Sequence, residues 1–149
     1  SPCIDAGDPA DSPAGQDLAG NPRLLDGDLD LTRVIDMGAH EFDNVHLTIS
    51  GSAVPGGTLV IDTDGTAGLV VLLIVGVTPG EFCHPLYGCL FLEVLSPWWV
   101  FSWGTVPSSM NLPLCPATST PLTVYFQGVA IAPSNLAGNL SNPVTVTVE

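Results

Sequence analysis

The sequence predicts an all-β fold: an antiparallel β-sandwich of about seven strands behind an extended, turn-rich segment. Two observations predict it. From Val45 onward, apolar residues recur with a period of two and no helical period appears. The composition also breaks near residue 43: residues 1–43 hold ten of the fifteen carboxylates and both arginines, Arg23 and Arg33. Residues 44–149 hold five carboxylates and neither Lys nor Arg. Two units are therefore expected, an acidic segment over 1–43 and a β-sandwich domain over 44–149.

Residues 1–43 alternate little and are punctuated by Gly-Asp, Asp-Pro, Ser-Pro and Asn-Pro pairs, which is turn chemistry. An extended chain with short bridges is expected, for example at Val34–Asp36. Val45, Leu47 and Ile49 then alternate with His46, Thr48 and Ser50. Pro55-Gly56-Gly57 forms a turn, and Leu59–Thr63 is the next strand. Asp64-Gly65 reads as a tight hairpin turn. Ala67–Val77 carries the most apolar run, LVVLLIV, and reads as the central buried strand. It is far too short to span a membrane. Cys89–Leu95 is a strand, and Trp98–Trp103 an aromatic one. Pro107–Pro121 reads as a Pro-rich connection. Pro121–Ala132 is a long strand with a bend or bulge expected at Gly128. Pro143–Glu149 closes the chain, with Val144, Val146 and Val148 on one face.

The chain of 149 residues is long enough for a real core. Its net charge of −13 and its lack of Lys oppose binding to nucleic acid or to an anionic membrane surface, and favour divalent cations and basic partners. Neither membrane insertion nor nucleic-acid binding is expected.

The four cysteines form no paired C-x-x-C motif, which argues against a structural zinc site. Cys83 and Cys89 bracket a Pro- and Gly-containing loop, a spacing that suits a bridge closing a hairpin. Cys3 and Cys115 could then pair at long range. The other connectivities, and four buried thiols, stay open. Bridges require an oxidising compartment.

Three ordered blocks in residues 1–43 carry a resemblance: Ser1-Pro2-Cys3-Ile4-Asp5-Ala6-Gly7-Asp8, Asp17-Leu18-Ala19-Gly20-Asn21-Pro22-Arg23, and Val34-Ile35-Asp36-Met37-Gly38-Ala39-His40-Glu41. They resemble the closing segment of secreted bacterial parallel β-helix proteins of the choice-of-anchor type. Almost no helix precedes the blocks here, so the resemblance implies a terminal cap or remnant rather than a working solenoid. Residues 44–149 resemble the C-terminal β-sandwich of many secreted proteins of planctomycete-like bacteria. The matching parts are Pro55-Gly56-Gly57, Leu69–Val75, Trp98–Trp103, Tyr125–Gly128 and Ser141–Val148. The resemblance implies export and an extracellular or cell-surface role. Any export signal would then lie upstream of Ser1, and the chain would be a piece of a longer precursor.

Asp26-Gly27-Asp28-Leu29-Asp30 is the best cation candidate, because alternating carboxylates on a Gly-containing loop can converge on one hard cation such as calcium. The EF-hand spacing fails, since Met37 stands where its last ligand belongs. Further ligands would come from Asp36, Glu41 or Asp17. Solvated or turn-capping carboxylates are the plain alternative. Arg23 and Arg33 are expected to pair with carboxylates, Asp36 and Glu41 being the candidates. His40, His46 and His84 are scattered and support no metal cluster. Asp62 and Asp64 read as turn stabilisers rather than a glycosidase pair. In Trp98–Trp103, Trp99, Phe101 and Trp103 share one face, read mainly as core, and Trp98 points to the other, where a sugar or a subunit could stack. Asn139-Leu140-Ser141 is a formal glycosylation sequon.

No nucleophile elbow, zinc motif or phosphate loop is present, so an enzyme is not expected. The first expectation is an extracellular structural protein that associates with itself through strand or arm contacts into a filament or surface array. Val144, Val146 and Val148 form the candidate strand, because the edges lack the lysines that usually block pairing. The second is a binding or anchoring domain released from a larger β-helix protein, with surface polysaccharide beside Trp98 as its ligand.

Overall fold

The computed structural model describes residues 3–8, 17–18, 25–37, 44–84, 87–92, 98–116 and 121–149, with the backbone alone at 83, 84, 88, 89, 92, 98, 102 and 103. These residues form an antiparallel all-β sandwich, with no helix among them. Ten strands follow in order: β1 (Val45–Gly51), β2 (Thr58–Gly65), β3 (Val70–Gly76), β4 (Pro79–His84), β5 (Gly88–Leu92), β6 (Trp98–Thr105), β7 (Ser108–Pro113), β8 (Leu122–Ile131), β9 (Gly138–Leu140) and β10 (Val144–Val148).

One layer is a three-stranded sheet in the order β1-β2-β7. The other runs β10-β8-β3-β6, with β9 also paired to β8. The period-two pattern fixes which side chains meet between the layers. Leu47, Leu59 and Ile61 of the first sheet pack with Leu73, Val75 and Phe126 of the second. At one end Val45, Val71 and Ala130 form a second cluster with Leu69, Val106 and Ala132.

β3 and β8 are apolar on both faces because the larger sheet is covered twice. Successive residues of a strand face opposite ways, so Leu72 and Ile74 point away from the side that Val71, Leu73 and Val75 occupy. With Val129 and Leu140 they pack against Leu90 of the β4–β5 hairpin. The hairpin is thus a partial third layer.

Several expectations are corrected. Asp64-Gly65 ends β2 and no hairpin follows, because the chain crosses there to β3 in the other sheet. The true hairpin turn lies between β1 and β2, where the Gly57 N–H donates to the Val54 carbonyl (2.8 Å). Ser108–Pro113, read as a connection, is the edge strand β7 paired with β2. Its prolines misled: Pro107 precedes the strand and Pro113 ends it, while Met110 and Leu112 pack on the core. Gly128 marks no bulge towards β3, since it pairs with Leu73 in unbroken register. It lies where the other edge of β8 changes partner, from β10 (through Phe126) to β9 (from Val129).

The bulge is instead on β6. Val71 pairs with Gly104 and Leu72 with Ser102, leaving Trp103 as the extra residue. The regular alternation of this strand therefore stops at Ser102. Trp99 and Phe101, expected in the core, are 52% and 43% exposed, and Val100 between them is 45% exposed. Neighbours along a strand lie on opposite faces, so neither face is well covered at this point.

Candidate cation site and sheet edges

The loop 25–35 is held by a side chain 113 positions away from Asp26. The Asp26 N–H donates to Asn139 Oδ1 (3.1 Å), and Asn139 Nδ2 donates to the Asp26 carbonyl (2.9 Å). Asn44 Nδ2 donates to the same carbonyl (2.8 Å), and Asn44 Oδ1 accepts from the Thr66 hydroxyl (2.8 Å). Asn139 is fully buried and Asp26 is 1% exposed. A carboxamide offers a donor and an acceptor side by side, so it can pair with the N–H and C=O of one residue as an opposing strand residue would.

The loop is closed by its own carboxylates. Asp26 Oδ1 and Oδ2 accept from the backbone N–H groups of Asp30 and Leu31, each at 2.9 Å. Asp30 Oδ1 accepts from the Thr32 N–H (2.6 Å). These are the local side-chain turns that Asp favours. A bridge between Leu25 and Val34 closes the base. It takes the place of the bridge sought at Val34–Asp36 and includes its first residue.

Residues 3–8 run beside this loop. The Gly7 N–H donates to the Ile35 carbonyl (2.7 Å), and the Met37 N–H to the Cys3 carbonyl (2.9 Å). Asp5 has a left-handed backbone (φ 52°), fixed by two contacts. Its N–H donates to Asp36 Oδ1 (2.8 Å), and its Oδ2 accepts from the Asp28 N–H (2.8 Å).

The result is a group of three carboxylates. One oxygen from each of Asp5, Asp26 and Asp28 lies within 4.8 Å of the others, a set that could hold a metal ion. Asp5 Oδ1 is buried and accepts no hydrogen bond. Burial pushes the Asp5 carboxyl above its ordinary range; hydrogen bonds from Asp28 and Gly27 oppose this, and the charges of Asp28 and Asp36 add to it. Burial likewise raises Asp26, against the hydrogen bonds from Leu31 and Asp30 and with the charges of Asp30 and Asp28. A cation would relieve both the crowding and the burial cost.

Of the five expected ligands, the structure groups Asp26 and Asp28. Asp30 and Asp36 are engaged by the N–H groups of Thr32 and Asp5 and are not in the group. Glu41 lies outside the described residues, as do Arg23 and His40. Asp5 was missed as a ligand. It lies in the first acidic block, 21 positions before Asp26, and sequence spacing does not reveal which strand-like pieces run side by side. Asp17 is buried, and no metal-holding group among the described residues includes it. The carboxylate acting on Arg33 is Asp26, whose charge opposes the burial that lowers the guanidinium's proton affinity.

The cysteine expectations divide. Cys83 and Cys89 are paired directly opposite each other across the β4–β5 hairpin, the register a closing bridge needs, though their side chains lie outside the description. Cys3 and Cys115 are exposed thiols with no bridge between them. The fold accounts for this. Cys3 belongs to the segment fastened at the Asn44 end of the three-stranded sheet, while Cys115 follows β7 at the opposite, Thr58 end. The length of β2, roughly 23 Å at strand rise, far exceeds the reach of a disulfide.

Val144 and Val146 turn towards the core and Val148 is buried, so their side chains are interior rather than presented. Only the backbone is described at Trp98, where it pairs with Gly76. An apolar groove of about 240 Å³ lies between the hairpin and β10, with Phe91, Tyr125 and Pro143 among its walls. Its Gln127 is committed elsewhere: Oε1 accepts from the Phe91 N–H (2.9 Å) and Nε2 donates to the Ser141 carbonyl (2.8 Å).

The outer strands of the two main sheets are β1 and β7 in one and β10 and β6 in the other, while β4 of the two-stranded hairpin sheet carries Glu81. None of the four outer strands contains Asp, Glu, Lys or Arg, and residues 94–148 contain no such residue at all. Comparison of the chain with family models, with curated proteins and with solved structures finds no match.

Proposed function

We propose that this chain is a non-catalytic, extracellular structural module that associates with itself through its sheet edges into a filament or surface array, and that it takes up calcium at Asp5, Asp26 and Asp28. The observation that carries the first part is the absence of Asp, Glu, Lys and Arg from β1, β6, β7 and β10, the outer strands of the two main sheets. Edges of soluble sheets are usually guarded by Lys, Pro, inward-pointing charge or a covering element. Here a chain of net charge −13 places none of its charge on these four strands.

Calcium is the preferred cation because three carboxylates form a hard, all-oxygen donor set. The irregular loop suits a cation that tolerates flexible geometry better than it suits magnesium, which demands a near-ideal octahedron. Bound there, the ion would tie residues 3–8 to the loop that Asn139 holds, and so order the acidic segment against the sandwich. An exported protein, which the resemblance of residues 1–43 implies, meets calcium outside the cell.

Sedimentation equilibrium over a hundredfold range of protein concentration tests the self-association. A mass that rises with concentration supports the reading, and a monomer throughout refutes it.

A further inference from the structure

We infer that Asp64-Gly65 is a site of covalent self-modification, where the Gly65 backbone nitrogen closes on the Asp64 side-chain carboxyl to a succinimide that reopens as an isoaspartyl linkage. The inference is independent of the self-association and of the cation site.

The sequence holds two Asp-Gly pairs, Asp26-Gly27 and Asp64-Gly65, and no Asn-Gly pair. Ring closure is easiest where the attacking nitrogen belongs to glycine, which has no side chain to shield it. It also needs the carboxyl carbon brought up to that nitrogen, with neither group committed elsewhere. The fold treats the two pairs in opposite ways.

At Asp64 the side chain is already turned back on its own peptide. The Gly65 N–H donates to Asp64 Oδ1 (2.9 Å), so the carbon to be attacked is one bond from an oxygen held against the nitrogen. Asp64 and Gly65 are both exposed, so water reaches the pair. The sheet leaves this N–H to the side chain. The Thr66 N–H donates to the Asn44 carbonyl (2.9 Å), and the direction of hydrogen bonding alternates along an antiparallel strand. The Gly65 N–H therefore points away from β1. On that side β7 pairs with β2 only as far as Thr63, through Ser108. Gly65 has a left-handed φ of 135° and lies against the Asn44 carbonyl, so a larger residue does not fit there.

At Asp26 the same chemistry is blocked. Both carboxylate oxygens are taken by the N–H groups of Asp30 and Leu31 (2.9 Å each), beyond Gly27 in the chain. The Gly27 N–H is directed to the carboxyl of Asp5 instead. Asp26 is also 1% exposed, which keeps water from the hydrolytic step.

The steps balance without an oxidant or reductant. The bond from the Gly65 nitrogen to Asp64 Cγ forms and a Cγ–O bond breaks. The carboxylic acid's hydroxyl leaves with the amide proton as water. A second water then adds at the main-chain carbonyl carbon of Asp64, and the bond from that carbon to the Gly65 nitrogen breaks. The chain now runs through Cγ, the main-chain carboxyl is free, and the mass is unchanged. The longer backbone sits beside Thr66, whose N–H and hydroxyl are held by Asn44.

The test is to age the full chain, folded and in urea, in heavy-oxygen water and to map isoaspartate by peptide mass spectrometry. The oxygen that enters at hydrolysis labels the product. In urea both Asp-Gly pairs should convert. In the folded chain labelled isoaspartate should form at Asp64, with at least about tenfold less at Asp26, whose carboxyl is held away from its nitrogen. Asp64→Glu should lose the product, because closure would then need a less accessible six-membered ring. A folded chain that converts Asp26 as fast as Asp64 would overturn the inference. So would one that leaves Asp64 intact for as long as the urea sample takes to convert it, or an isoaspartate yield undiminished in Asp64→Glu.

Discussion

Asn139 and Asp26 are paired at two points, N–H to Oδ1 and Nδ2 to carbonyl, across 113 residues of sequence. The same short stretch repeats the device. Asn142 Oδ1 accepts from the Leu47 N–H (2.8 Å) and its Nδ2 donates to the Leu47 carbonyl (3.0 Å). Between them the Ser141 carbonyl takes the Gln127 amide, and the Leu140 N–H donates to the Tyr87 carbonyl (2.9 Å). Four positions thus fasten the acidic loop, the edge strand β1, β8 and the segment entering β5.

Replacing Asn139 should be costly. Asn139→Ala leaves the buried Asp26 N–H without its acceptor, while the Asp26 carbonyl loses one donor and keeps Asn44. Each buried polar group left unsatisfied costs about 1–3 kcal/mol. Urea unfolding should show a loss of about 2–3 kcal/mol, and a loss below about 0.5 kcal/mol, the level of a surface change, would contradict the pairing. The burial of Asn139 also answers the sequon. Glycosylation needs an accessible amide, so the folded protein offered to an oligosaccharyltransferase should show no added mass at this site.

Gln127→Leu should loosen the β4–β5 hairpin without unfolding the sandwich. The Phe91 N–H loses its acceptor, and the Ser141 carbonyl loses its donor. Hydrogen exchange should accelerate at Phe91 and its hairpin neighbours while β3 keeps its protection. Equal acceleration in both would contradict a separately fastened third layer.

The sandwich was legible because its period-two runs are long and apolar, as in Val45–Ile49 and Val144–Val148. Edge position was not. Periodicity places Trp99 and Phe101 on a face, but whether that face is covered depends on the extent of the opposite sheet. β7 was hidden by Pro107 and Pro113, which a central strand excludes but an edge strand tolerates at its ends. The cation loop was legible in Asp26-Gly27-Asp28, because it is local. Asp5 and Asn139 were not, because each reaches the loop from a distant segment.

Asp5→Asn and Asp30→Asn should behave differently. A ligand that binds only the folded chain adds about 2.7 kcal/mol at a concentration of about a hundred times Kd. Thermal unfolding with and without calcium should lose this increment in Asp5→Asn and keep it in Asp30→Asn. Asp30→Asn should cost about 1 kcal/mol through its weakened turn. Equal calcium responses in the two variants would contradict the Asp5–Asp26–Asp28 group.

The pH response of the cation-free chain follows from Asp5 and Asp26. Both carboxyls lie above 3.8 in the folded state, so this state binds protons more readily than the unfolded one. These two groups therefore destabilise the fold above their folded pKa. That cost shrinks as pH falls through the folded pKa and is gone below 3.8. In chelator, the unaltered chain should gain more stability on acidification through this window than Asp5→Asn does. With calcium bound the sign reverses, because protons compete with the ion. Identical pH profiles for the two proteins in chelator would contradict the buried position of Asp5.

The most direct test of self-association through uncharged edges is electron microscopy of the concentrated chain, with calcium and with a chelator. Ordered filaments or arrays are the predicted result, less regular under chelation if the acidic segment contributes to order. Dispersed single particles under both conditions would contradict it.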